Sequence, residues 1–122
     1  MESNNFRGQY DLTVDGIEYT TVLNMNAIRI MCTKERVKVG DLEAYLGDNP
    51  LDGIPRMVYY GIENWISLLQ KDVELPEFEV FCAKAMNEDN LFEEMAEWVT
   101  ESLGGNVQKK TRAQRRKAAT KK

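Results

Sequence analysis

Polar and apolar residues alternate from Gln9 to Val14 and again from Ile17 toward Leu23, with Asp15-Gly16 between the two runs. A period of two is the signature of a strand. Asp-Gly is a two-residue turn signal, because both central positions of a type I′ turn need φ > 0. The pattern predicts a β-hairpin, with Tyr10, Leu12 and Val14 on one strand and Ile17, Tyr19 and, less regularly, Thr21 and Leu23 on the other. A two-stranded ribbon is marginal in water by itself, so it must pack on helices or pair with another chain.

After Asn24 the period lengthens to that of a helix. Asn24 suits an N-cap, and Met25, Ile28, Met31 and Cys32 share one face of a helix running from Met25 to about Lys34. Val37 to Val39 reads as a short extended link. Asp41 then caps a brief helix, Leu42 to Leu46, stopped by Gly47. Asp48 to Pro55 reads as a turn-rich junction, with Pro55 in the first turn of the next and most hydrophobic helix. Along that helix Val58, Ile62, Trp65, Ile66 and Leu69 form one stripe, and Met57, Tyr60, Gly61 and Leu68 widen it almost all round. Such a helix is either the buried centre of a bundle or one that buries a second face against a partner.

Glu74-Leu75-Pro76 restarts the chain, and Phe78, Phe81, Cys82 and Ala85 give a further helical stripe. Asn90 with Glu93 resembles a capping box for a last helix. Its apolar face holds Leu91, Phe92, Met95, Trp98, Val99 and Leu103, and Glu93, Glu94, Glu97 and Glu101 hold the other; Gly104-Gly105 is expected to end it. The fold class is therefore α+β, mostly α: a hairpin, a bundle of about five helices, then a disordered basic tail. Residues 1–105 form the domain and 106–122 the flexible segment.

Charge sharpens that division. The last 17 residues carry eight of the 16 Lys and Arg and no acid: Lys109, Lys110, Arg112, Arg115, Arg116, Lys117, Lys121 and Lys122. The body keeps the other eight with all 20 Asp and Glu, so about −12 and +8 combine into the net −4. The body is too apolar, at 43% hydrophobic for the whole chain, to be a disordered polyanion. No apolar run approaches the ~20 residues that span a bilayer. MESNNFRGQ has neither the basic start nor the apolar stretch of a secretory signal, so a soluble, cytoplasmic protein is expected. Cys32 and Cys82 sit in apolar stretches and read as reduced core residues. The chain has no histidine, which removes the commonest general base and the usual zinc ligand. Neither enzymatic chemistry nor a cofactor is expected.

The order of elements from Tyr10 to Leu103 resembles the tail assembly chaperones of long-tailed, siphovirus-type bacteriophages, in the short form made from the first of two overlapping frames. The hairpin with its Asp-Gly turn, the helix start Asn24-Met25-Asn26-Ala27-Ile28-Arg29 and the Gly40-Asp41-Leu42 segment carry the likeness. The Pro55–Leu69 hydrophobic helix and the acidic closing helix Asn90–Leu103 complete it. The resemblance implies a non-enzymatic role: coating the long helical tape measure protein, keeping it soluble and helping the tail tube protein polymerise around it, without entering the mature virion. It also implies a second, frameshifted product. Lys109-Lys110 and Lys121-Lys122 could be encoded by the A-rich heptamers at which such slips occur, although any Lys-rich tail contains such pairs. If phage-encoded, the protein would work in the host cytoplasm, and the next large downstream frame should encode the tape measure protein.

A chaperone of this kind should offer apolar surface to an amphipathic helix, gripped by anchors three and four residues apart. The candidate faces are Met25, Ile28 and Met31 on the first helix and Met57, Tyr60, Trp65 and Leu68 on the long one. Flexible methionines suit promiscuous surfaces, and equally suit ordinary core. An open hairpin edge could pair copies into a homo-oligomer. The basic tail supports a rival reading, a small nucleic-acid-associated regulator binding phosphates through residues 109–122. The lack of an aromatic in the tail and the acidic body both argue against nucleic acid, and the lack of an apolar face in the tail argues against a membrane surface.

Overall fold

A computed structural model describes residues 8–106 of the chain. Strands β1 (Gln9–Val14) and β2 (Ile17–Val22) form the expected hairpin, antiparallel, with Leu12 opposite Tyr19 and Val14 opposite Ile17. Asp15 and Gly16 take φ of 54° and 79°, the left-handed pair that the turn demands. Five helices come after it: α1 (Met25–Glu35), α2 (Leu42–Asp48), α3 (Pro50–Leu69), α4 (Phe78–Met86) and α5 (Leu91–Asn106).

Asn24 caps α1 from extended backbone, its side chain accepting from Asn26 N and Ala27 N at 3.0 and 3.2 Å. Several details differ from the sequence expectation. The link after Val37 tightens into a 3₁₀ turn, Val39–Asp41, and Asp41 precedes α2 without a side-chain capping bond. Gly47 does not stop α2, which runs on to Asp48. The supposed junction before Pro55 is itself helical: only Asn49 separates α2 from α3, and Pro50 takes the first helical position. Pro55 then lies inside α3, where it forfeits one early backbone bond, to the carbonyl of well-exposed Leu51.

At the far end, Asn90 has φ of 63°, outside the extended region an N-cap uses, so the expected capping box does not form. Gly104-Gly105 does not end α5, which continues to Asn106. A helical glycine costs only about 1 kcal/mol relative to alanine, too little to break a helix by itself.

Of the two readings left open for α3, the structure has the buried centre of the bundle. Met57, Val58, Tyr59, Tyr60, Ile62 and Asn64 are all buried, and α3 packs against β2, α1, α2, α4 and α5. Gly61 permits the approach to the hairpin: a Cβ there would lie 2.0 Å from Thr21 Oγ1. That hydroxyl is buried and donates to Val58 O at 2.9 Å. Phe81 of α4 meets Tyr19 and Tyr59 edge to face. On the other side, Tyr10 of β1 stacks on Trp98 of α5, centroids 5.1 Å apart, and its hydroxyl donates to Glu101. The hairpin is thereby held by α3, α4 and α5 together. No helix among the described residues is long and apolar enough to cross a membrane.

Candidate functional site

Helices α1 and α3 run antiparallel, because Asn26 bonds Asn64 at one end while Glu35 meets Arg56 at the other. That pairing decides the fate of the sequence-predicted anchors. Ile28, Met31, Met57 and Tyr60 are buried in the core, so they are not outward surface and offer nothing to a partner in this state. The correction has a simple cause: a periodic stripe identifies a face, and in a bundle that face turns inward. Trp65 is half-buried. Only Met25 and Leu68 are exposed, at 50% and 42%. They lie at the same end of the α1–α3 pair, next to Asn26 and one turn past Asn64. The basic residues Lys109, Lys110, Arg112, Arg115, Arg116, Lys117, Lys121 and Lys122 lie outside the described residues.

Another apolar surface was not anticipated. Exposed Pro50 and half-buried Ile54, over a floor of buried Leu46, Val99 and Leu103, line a groove of about 250 Å³ between α2, α3 and α5, together with Glu43, Gly47 and Thr100. On the same first turn of α3 stands Leu51, 66% exposed, the most exposed large apolar residue among those described. The groove arises from local sequence. A one-residue connection forces α2 and α3 together, and Gly53 lets them approach: a Cβ there would come 2.9 Å from Leu46 Cδ2. Beyond it the absent side chain of Gly47 leaves open space. Leu51, Ile54 and Val58 repeat at i, i+3 and i+7, a signal visible in the sequence and masked there by the neighbouring Gly and Pro.

The polar clusters of the molecule are structural. Arg56 is held by both oxygens of Asp52 at 3.0 and 3.2 Å and by Glu35 at 3.1 Å, with its guanidinium 4.0 Å over the Phe78 ring. Tyr60 donates to the same Glu35 oxygen at 2.5 Å. Burial, then that carboxylate, pushes the Tyr60 hydroxyl well above its ordinary range, so it stays a protonated donor. Three of the five guanidinium N–H donors of Arg56 are thus engaged by the Asp52 and Glu35 carboxylates. Cys32 and Cys82 are free, half-buried thiols, both pushed up in pKa by burial and hence poor nucleophiles. Among the described residues no three Cys, Asp or Glu are grouped to hold a metal ion.

What the arrangement offers is therefore apolar contact: a shallow groove of about 250 Å³ on one side and the Met25–Leu68 end on another. No protein-family model matches the chain, and neither does any curated protein or solved structure.

Proposed function

We propose that this protein is a phage tail assembly chaperone that binds the tape measure protein, keeps it soluble and assists tail tube polymerisation without joining the mature virion. The observation that carries the reading is the open apolar groove between α2, α3 and α5, flanked by Leu51, on a strongly acidic body. A client helix with apolar residues three and four apart can lay that stripe into such a groove, and the surrounding carboxylates keep the complex soluble. The hairpin-then-helices order, with an Asn-capped first helix and an acidic last one, supports the same reading through its resemblance to these chaperones. Hairpin edges offer pairing between copies, which would array several grooves along one long client.

The test is co-expression with the long helical protein encoded by the next large downstream frame. The chaperone reading expects that protein to move from the insoluble to the soluble fraction and to co-purify with this one. If it stays insoluble, or if the neighbouring frames encode metabolic enzymes, the reading falls.

A further inference from the structure

Toward its turn the hairpin uses only one of its faces to build the core, although Val22, at the far end of the other face, is fully buried. Leu12, Val14, Tyr19 and Thr21 point inward, whereas Asp11, Thr13 and Glu18 are exposed and Thr20 is half-buried on the opposite face. That unpartnered face forms part of a cleft of about 570 Å³, walled by Trp65 of α3 and by Glu88, Asp89, Leu91 and Glu94. Five carboxylates thus line one opening: Asp11, Glu18, Glu88, Asp89 and Glu94. Asp11 accepts from Thr20 and Glu88 from Asp15 N. Among the described residues none of the five forms an ion pair with Lys or Arg; those pairs are made by Asp15, Glu35, Asp52 and Glu63.

We propose that the chain's own basic segment, residues 107–122, docks on this outer hairpin face. Charge complementarity identifies it: eight cations and no acid in the segment, against five carboxylates without a cationic partner in the cleft. Length permits it. From Glu94 to Asn106 α5 covers about 18 Å. The sixteen residues beyond Asn106 can extend by ~3.3 Å each, so about six suffice for the return and Arg115, Arg116, Lys117, Lys121 and Lys122 are left within reach of the cleft. Trp65 adds an aromatic wall, over whose ring Lys71 Nζ already lies at 5.6 Å from the centroid. Docking there satisfies the acidic face internally and withholds the segment from phosphates. It stands on its own observations, apart from the chaperone reading.

Zero-length carbodiimide cross-linking of the full chain at low ionic strength, mapped by mass spectrometry, tests it. Docking predicts that Lys117, Lys121 and Lys122 link mainly to Glu18, Asp89 and Glu94, while Lys109 and Lys110, on the return path, report on neither outcome. A merely tethered segment would link Lys117, Lys121 and Lys122 to the carboxylates nearest its root, Glu101 and Glu97, and that result overturns the proposal. Mixing isotopically labelled and unlabelled chains separates the segment's own body from a second copy. Links that are mostly mixed-isotope also overturn it. The full-length double variant Glu18→Lys/Glu94→Lys, at two exposed positions, should lower linking to Asp89 several-fold; unchanged linking to Asp89 counts against docking.

Discussion

Asn64 Nδ2 donates to Asn24 Oδ1 at 2.9 Å, so the residue that caps α1 is itself gripped from the C-terminal part of α3. The same Asn64 amide donates to Val22 O at 3.0 Å, and its Oδ1 accepts from Asn26 Nδ2 at 2.7 Å. Asn64 is fully buried, and its three bonds fix the point where hairpin turns into helix. Replacing Asn64 with Ala leaves the buried Val22 carbonyl unsatisfied and should cost about 2–3 kcal/mol in denaturant unfolding. Asn24→Ala should cost about 1–2 kcal/mol as a lost cap. Because the two share a bond, the double variant should lose less than the sum; strict additivity would mean the cap and Asn64 act independently.

Two helical glycines should respond in opposite directions to alanine. At Gly61 the new Cβ collides with Thr21 Oγ1 and with Leu23 Cδ2, at 2.0 and 2.8 Å, in the seam between α3 and the hairpin. Overpacking there should cost about 1–3 kcal/mol. At Gly47, exposed and with open space around its Cβ position, alanine should raise stability by about 0.5–1 kcal/mol. Thermal unfolding of both variants checks the pair.

Alkaline pH should destabilise the fold through its tyrosines. All five, Tyr10, Tyr19, Tyr45, Tyr59 and Tyr60, are raised above the ordinary value of 10.0, in each case chiefly by burial. Folding therefore favours the protonated phenol. Its stabilising contribution is complete below pH 10 and is lost as pH climbs from there toward the raised folded values. Unfolding midpoints should drop above pH 10, with phenolate absorbance rising in step. Tyr60→Phe should be about 1 kcal/mol less stable at neutral pH, from its lost bond to Glu35, and less sensitive to alkali.

The hairpin was fully legible, because alternation and Asp-Gly agree on register and turn together. Helix α1 was equally clear, since Asn24 both ends the strand and caps the helix after it. Residues 48–55 were misread because Gly53 and Pro55 usually punctuate a chain, whereas here both lie within α3, Gly53 giving Leu46 room to approach. The candidate anchors fared worst. Periodicity put Ile28, Met31, Met57 and Tyr60 on shared faces, yet no local pattern tells which face of a nearly all-apolar helix meets the core. The groove beside Leu51 needs α2, α3 and α5 brought together, a tertiary fact to which the i, i+3, i+7 spacing only points.

Exposed apolar positions separate a client groove from plain surface. Leu51→Asp should leave stability within about 0.5 kcal/mol, since the side chain is two-thirds in water. Leu68→Asp, exposed at the opposite end of α3, serves as the matched control.

The decisive measurement is the amount of downstream long helical protein that co-purifies in soluble form with the intact chain, with Leu51→Asp and with Leu68→Asp. A client seated in the groove predicts full recovery with the intact chain and Leu68→Asp, and a large loss with Leu51→Asp. Equal recovery with all three would contradict the groove as the client site, and no recovery with any would contradict the chaperone function itself.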